Sequence, residues 1–165
     1  MSRITLKKRH IIRKSQAQEL LIRLREEIGE SASLFLSERM EIVETDSDMV
    51  FFLVGKKPLL MERQEVIFPT IRGILEHPFP ERMVTVDSGA VAFVVNGADV
   101  MRPGIVSLTP DIRAGRPVQV VEERHGKPLA VGIALFDAPE IREKKEGKVV
   151  RTYHHVGDDI WNVDL

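Results

Sequence analysis

The sequence predicts an α+β domain followed by a small β-barrel, and three observations carry this prediction. Apolar residues at helical spacing lie early in the chain, Pro78 and Pro80 interrupt regular structure near its middle, and short apolar segments separated by turn residues follow. Several short strands at such spacing are typical of barrels. We therefore predict an α+β domain over residues 1–81 and a β-barrel over residues 82–165.

The first predicted domain begins with an amphipathic helix. Ser15 and Gln18 have the spacing of a capping box, and apolar residues then recur every three or four positions as far as Gly29. Gly55 and Pro58 mark a hairpin tip, because glycine frees φ and proline cannot donate to a strand ladder. A short helix is expected after Pro69, over residues 70–76. Strands are predicted at residues 40–44, 49–54 and 59–62.

The second predicted domain is richer in strands. Its one clear helix is capped by Asp87 or Ser88 and leaves through Asn96-Gly97, where glycine permits the left-handed conformation. A polar helical turn begins near Asp137. Strands are predicted at residues 83–86, 105–108, 118–122, 129–135, 149–156 and 160–163.

The composition excludes several classes of function. The 165 residues include 24 Lys and Arg, 25 Asp and Glu, and no cysteine. Without cysteine there is no disulfide scaffold, thiol nucleophile or thiolate zinc site. The near-zero net charge means that any surface for nucleic acid must be local. Because the chain shows no secretory leader and no apolar run that would span a bilayer, we expect a cytoplasmic protein that does not enter a membrane.

The strongest local charge lies at the start of the chain. Residues 2–14 hold several basic side chains and no acidic one. Lys7, Lys8, Arg9 and Arg13 are therefore candidates for contacts with RNA phosphates, each of which would add a salt-sensitive increment to affinity. The alternative is a basic strand that is simply solvated.

A glycine-rich motif in the second domain carries the main prediction. The segment Val86-Asp87-Ser88-Gly89-Ala90, with residues 96–105 (NGADVMRPGI), resembles the signature of the PUA family of RNA-binding domains. The resemblance implies a non-catalytic β-barrel that binds RNA between its first helix, the following loop and the closing strand. The residues implied at these positions are Gly89, Ala90, Gly97, Ala98, Asp99, Arg102, Pro103, Gly104, Arg151, Tyr153 and His155.

Among these residues Arg102 is the expected phosphate ligand, because a guanidinium fork suits bidentate contact with phosphate oxygens. The glycines have an alternative explanation, since they also serve to close a tight barrel. Phe93 and Val94 are expected in the core. With aromatic residues at 5% of the chain, recognition by shape and backbone contacts is favoured over serial base stacking.

The resemblance extends beyond this domain. Phe68–Arg72, His77–Phe79, His154, Asp158 and Trp161 look like the family of the malignant T-cell-amplified sequence protein and the N-terminal half of ligatin, of which this chain resembles an archaeal-type, stand-alone member. The resemblance implies an adaptor that acts on the small ribosomal subunit or tRNA in translation initiation, reinitiation or recycling. It also implies a separate protein partner with an initiation-factor-like domain. Asp159 departs from the glycine often found in this motif, which puts the local turn in question.

Two adjacent histidines raise the question of catalysis, which the rest of the sequence does not favour. His154 and His155 are neighbours on a predicted strand and so point to opposite faces; we expect His154 to be a hydrogen-bonded core residue. A phosphodiesterase using His155 with Asp158 or Asp159 is the enzymatic alternative. The sequence has no P-loop, nucleophile elbow or metal-ligand cluster, so we expect no enzyme, metal or cofactor. Two further alternatives are an accessory to tRNA modification and a protein-interaction module without RNA.

Overall fold

The computed structural model describes residues 4–165, so Arg3 of the predicted basic segment lies outside the described residues. Within this range the α-helices are α1 (Lys14–Ile28), α2 (Ile71–Glu76), α3 (Ser88–Val94) and α4 (Ala138–Glu143). The strands are β1 (Leu6–Ile11), β2 (Glu41–Thr45), β3 (Met49–Val54), β4 (Lys57–Arg63), β5 (Val66–Pro69), β6 (Met83–Val86), β7 (Val100–Met101), β8 (Ile105–Leu108), β9 (Pro117–Glu122), β10 (Pro128–Ala134) and β11 (Lys148–His155).

The chain forms two compact units. One contains the residues up to Phe79 together with Asp159–Leu165, and the other contains Pro80–Asp158. The first is an α+β unit and the second is a nearly closed barrel of mixed strands with short helices. This arrangement confirms the predicted fold class.

The first unit is built on an antiparallel sheet with the order β1-β2-β3-β4-β5. Helix α1 buries Leu20, Leu24 and Ile28, which follow the helical period that the sequence displays. The predicted cap is wrong: the helix begins before Ser15, and the side chain of Gln16 accepts the N–H of Arg13 at 2.9 Å. Gln16, and not Gln18 two residues later, thus bonds the N–H of the residue that precedes the helix.

Helix α2 packs closely on β4. The hydroxyl of Thr70 accepts the N–H of Gly73 at 3.0 Å and donates to the carbonyl of Pro58 at 2.7 Å, so one buried side chain caps the helix and ties it to the sheet. A Cβ on Gly73 would lie 2.0 Å from the carbonyl oxygen of Leu59. Only glycine allows this approach of helix to strand.

The barrel of the second unit has the strand order β7-β11-β10-β9-β6-β8. Strands β6 and β9 run parallel, and the other neighbours pair antiparallel. β-Branched residues dominate its core, as expected for a small barrel whose inward positions are filled by side chains. Buried examples are Val84, Val86, Val100, Val118, Val120, Val149 and Val150.

The end of the chain differs from the prediction. Residues 160–162 form a turn and residue 163 has no regular structure, so the predicted strand is absent; the N–H of Val163 donates to the carbonyl of Ile160 at 3.3 Å. Ile160 and Val163 are both buried, so their apolar character reflects anchoring at a spacing of three residues instead of strand alternation. In this region Gly157 has a positive φ, at 87°, and Asp159 does not. The aspartate at the position where the family often has glycine is therefore not in a strained backbone conformation.

No helix within residues 4–165 combines the length and the apolar character needed to cross a membrane.

Candidate nucleic-acid interface

The barrel unit carries an open groove of about 600 Å³ beside helix α3 and strand β7. Six of its lining residues belong to the set implied by the resemblance: Gly89, Ala90, Ala98, Asp99, Pro103 and Gly104. The structure also adds lining residues that were not expected there, namely Asp87, Phe93, Val94, Val100, Met101 and Lys148. The groove is not filled by its own side chains.

Small residues let two segments of main chain meet at the floor of the groove. A Cβ on Gly104 would lie 3.1 Å from the Cβ of Ala90, and the N–H of Asp87 donates to the Gly104 carbonyl at 2.9 Å. Asp87 is the N-cap of α3, as predicted, because its carboxylate accepts the N–H of Ala90 at 2.9 Å. The motif therefore shapes the groove through close packing, as the structural explanation of its glycines requires.

Phe93 is not a core residue, and the prediction that placed it there is wrong. Its side chain is 69% exposed and lines the groove, whereas Val94 is 1% exposed as expected. Met101 also lines the groove and is 49% exposed. Phe93 and Val94 are neighbours on helix α3, and neighbouring side chains of a helix point in different directions. Val94 faces the core, so Phe93 faces outward. The groove consequently has an aromatic ring and a thioether on its open side.

Asp99 organises the polar rim of the groove. Its carboxylate pairs with the Lys148 ammonium at 2.9 Å and accepts the N–H of Thr152 at 2.9 Å. Burial alone would raise the pKa of Asp99, but hydrogen bonds from Lys148 and Thr152, with the positive charges of Lys148 and Arg151, outweigh burial and lower that pKa. Asp99 is thus ionised and neutralised by cations, so it does not present a free negative charge to a ligand.

The closing strand β11 is joined to the same loop. The hydroxyl of Thr152 donates to the carbonyl of Ala98 at 2.9 Å, which adds to the bond between Thr152 and Asp99. Gly97 has φ of 91° and faces the ring of His155. Nδ1 of that ring lies 3.0 Å from the carbonyl oxygen of Val156. These contacts join strand β11 to the loop after α3.

Arg102 makes several hydrogen bonds within the protein. The guanidinium of Arg102 donates to the carbonyls of Ile141 at 2.7 Å, Ile105 at 3.3 Å and Arg142 at 3.5 Å. The main-chain N–H of Arg102 donates to the carbonyl of Gly147 at 2.8 Å. These acceptors include carbonyls near the C-terminal end of α4, where a cation is favourable. Each of the three guanidinium nitrogens thus has a main-chain partner, and these bonds hold Arg102 to the segment that leads into Lys148.

The two histidines are used differently. His154 is 1% exposed, and its Nδ1 lies 3.0 Å from both carboxylate oxygens of Asp158, which confirms the hydrogen-bonded core residue that was predicted. Asp158 also accepts the N–H of His155 at 2.8 Å. Its carboxylate therefore binds the ring of His154 and the main chain of His155, which is not the pairing that the phosphodiesterase alternative requires.

The basic segment of the first unit forms strand β1, all six residues of which are exposed. Arg9 pairs with Glu41 and also donates to the main-chain carbonyl of Leu165 at 3.0 Å. The hydrogen bond that Arg9 donates to Glu41 raises the pKa of Arg9 and lowers that of Glu41. Arg9 is thus engaged within the protein, while Lys7 and Lys8 extend the positive surface.

The sequence indicated the position of the groove but not its chemistry. Lys148 was missed because it lies at the start of β11, outside the segment 151–155 that the family pattern emphasised. Phe93 and Met101 were missed because apolar residues are ordinarily assigned to a core. The local signal was available for Met101: it precedes Arg102-Pro103-Gly104 in a two-residue strand, where alternation with buried Val100 turns its side chain outward.

Residues 82–156 match the family model of the PUA domain, and residues 8–77 match the model of a domain of unknown function, DUF1947. Translation machinery-associated protein 20 of Eremothecium gossypii is 30% identical over 158 residues, covering 92% of this chain and 86% of the relative. The chain belongs to the family of that protein and of the malignant T-cell-amplified sequence proteins, as its motifs had indicated.

Two archaeal proteins are also similar. An uncharacterized protein of Methanocaldococcus jannaschii is 42% identical over 123 residues, covering 74% of this chain and 75% of the relative. The crystal structure of a hypothetical protein from Pyrococcus horikoshii OT3 superposes with a TM-score of 0.85 at 38% identity, covering 96% of this chain and all of the other. The similarity therefore spans both units and not the barrel alone.

Proposed function

We propose that this protein binds RNA through the groove beside α3 and β7, and that it acts without catalysis as an adaptor in translation. The PUA match and the translation-associated name of the E. gossypii relative support this proposal. The structural observation that carries it is the open groove itself, which combines a floor of small residues with the exposed ring of Phe93. We propose the small ribosomal subunit or tRNA as its target, in the cytoplasm, during initiation, reinitiation or recycling.

The chemistry of the groove favours an unpaired nucleotide over a duplex backbone. Among residues 4–165, Lys148 is the one cation that lines the groove, and it already pairs with Asp99. The apolar side chains of Phe93 and Met101 offer a flat face and a polarisable contact for a base. Gly89 and Gly104 leave room for the sugar to approach the main chain. A single base held on Phe93, with its phosphate near Lys148, matches these features.

Weak salt dependence follows from the same arrangement. The unit formed by residues 80–158 contains eleven Lys or Arg and eleven Asp or Glu, so it has no general attraction for a polyanion. Lys148 lines the groove, and Arg151 is an exposed cation on the same strand, β11. Two phosphate contacts with a single strand predict a slope of log affinity against log salt of about −1 to −2.

Co-sedimentation with small ribosomal subunits and crosslinking in cell extract test the proposal. We expect ribosomal RNA to be recovered with the native chain and recovery to fall roughly tenfold for Phe93→Ala, since stacking of one base is worth about 1–3 kcal/mol. The matched control is Val106→Ala, which truncates another exposed apolar residue outside the groove. Recovery of ribosomal RNA at background level from the native chain would refute the ribosomal target.

Gel shifts on deacylated tRNA separate the remaining possibilities. Binding to tRNA that requires Phe93, without binding to the small subunit, would assign the groove to tRNA. Loss of neither interaction in Phe93→Ala would show that RNA binds elsewhere on the protein. Absence of binding to any RNA would favour a module for protein interaction alone.

A further inference from the structure

The outer edge of strand β1 is an exposed sheet edge with a mixed basic and apolar surface. In the order β1-β2-β3-β4-β5 it is a terminal strand, and all six of its residues are exposed. Leu6 is 44% exposed and Ile11 is 67% exposed, while the residues between them are basic. Exposed edges of this kind present unpaired main-chain groups that another strand can bind.

The register shows which groups of β1 face outward. The N–H of Ile12 donates to the carbonyl of Met40 at 2.8 Å, and β1 pairs antiparallel with β2 through Arg9–Val43 and Ile11–Glu41. Hydrogen-bonded and non-hydrogen-bonded pairs alternate along an antiparallel ladder. The N–H and C=O groups of Ile11 and Arg9 therefore point away from β2, toward the open side of the sheet.

We propose that this edge binds an extended, acidic segment of a partner protein, which adds to the sheet as a further antiparallel or parallel strand. The main-chain groups of β1 would bond to that strand, as in other cases of strand addition. Lys7 and Lys8 would select carboxylate side chains, and Leu6 and Ile11 would contact the apolar residues that alternate with them. The inference concerns the first unit and a protein ligand, so it does not depend on the proposed RNA groove.

The same features disfavour two other occupants. A second copy of this chain paired through β1 would bring the basic residues of both edges together, and like charges opposite one another destabilise a strand pair. RNA would find an edge where carbonyl groups alternate with N–H groups and repel phosphate oxygens. Arg9, the best phosphate ligand in the strand, is already bonded to Glu41 and Leu165. A peptide strand supplies both the donors and the acceptors that the edge lacks.

The test uses the full chain and a short acetylated peptide in which glutamate and valine alternate. We expect main-chain amide NMR signals of β1 and β2 to shift on titration, and affinity to fall as salt rises. A peptide of the same composition with its glutamates and valines in separate blocks is the ligand control. No shift with the alternating peptide would overturn the proposal.

Protein variants separate main-chain pairing from charge. Ile11→Pro removes an N–H that points away from β2, so the β1–β2 ladder is retained while strand addition is blocked. Ile11→Ala keeps the N–H and is its matched control. Lys7→Glu with Lys8→Glu should abolish binding, whereas Lys144→Glu with Lys145→Glu makes the same change of charge in the other unit and should have no effect.

Each outcome decides the matter. Binding that survives Ile11→Pro would exclude strand addition. If Ile11→Pro fails to fold, the native chain is tested instead with two alternating peptides, each N-methylated along one of its two edges. Pairing through one edge predicts that only one of these peptides loses binding. Loss of binding by both would contradict strand addition. Displacement of the peptide by oligouridylate, with tighter binding of the RNA, would reassign the surface to RNA. Phe93→Ala should leave peptide binding unchanged, which distinguishes failure here from failure of the groove.

Discussion

The imidazole of His155 rests against the main chain of Gly97: a Cβ added to Gly97 would stand 2.9 Å from Nε2 of that ring. Gly97 also has φ of 91°, so it meets two requirements that only glycine satisfies. This contact fixes the loop after α3, which supplies Ala98 and Asp99 to the groove, to the last residue of β11.

Gly97→Ala should therefore destabilise the protein more than strain at positive φ explains. The backbone cost is about 1 kcal/mol, and displacement of the His155 ring adds a packing cost of about 1–3 kcal/mol. Gly147→Ala is the matched control, because Gly147 has φ of 92° and open space around its Cβ position. Urea denaturation of both variants measures the difference. Equal losses would contradict a contact with His155, and Gly97→Ala with His155→Ala should recover part of the loss.

A second glycine supports the other unit. Because a Cβ on Gly73 would lie 2.0 Å from the Leu59 carbonyl oxygen, Gly73→Ala must push α2 away from β4. We expect a loss of about 3 kcal/mol or more in the free energy of unfolding, at the upper end for overpacking of a core. Gly89→Ala, near the start of α3, has only the Asp87 carboxylate at 3.4 Å and should be neutral or slightly stabilising. A small loss for Gly73→Ala would show that α2 shifts freely.

These two glycines illustrate what the sequence predicted and what it did not. Gly97 was identified because it ends a helix within a recognisable motif, where local rules on capping apply. Gly73 lies in the middle of a short helix, where a glycine is required because the carbonyl of Leu59, fourteen residues earlier, lies against it. The periodicity of the sequence does not reveal such a contact. Most of the longer strands were predictable because alternation and turn residues act locally, but the short strands β5 and β7 were missed and residues 160–163 do not form the predicted strand.

The chemistry of the groove depended on long-range pairing. Arg102 was predicted from its type and position to face a ligand, but carbonyls in the segment 141–147 occupy its donors. Lys148 takes its place beside the groove because β11 pairs with β7, at Met101 opposite Lys148. Residue type alone does not show which of two nearby cations lines the groove.

The hairpin between β4 and β5 offers a stabilising substitution. Gln64 and Glu65 both have positive φ, at 51° and 66°, in a two-residue turn closed by the pair Arg63–Val66. Such turns favour Asn-Gly, so Glu65→Gly should raise the free energy of unfolding by about 1 kcal/mol. The bond from Arg23 to Glu65 uses the main-chain carbonyl at 2.9 Å and survives the change. Glu65→Ala keeps the strained conformation, so an equal gain in that control would contradict this explanation.

The ion pair of Asp99 predicts a dependence of stability on pH. Its pKa is lower in the folded protein than the ordinary value of about 4, so its contribution to stability is present above that value and is lost as pH falls through the folded pKa. Asp99→Asn should cost about 1 kcal/mol at neutral pH, and this difference from the native chain should fade below about pH 4. Thermal unfolding across this range measures it. Lys148→Met removes the partner at 2.9 Å, and in that background Asp99→Asn should have a smaller effect. A difference that stays constant with pH would mean that the lost stability comes from packing at Asp99 and not from its charge.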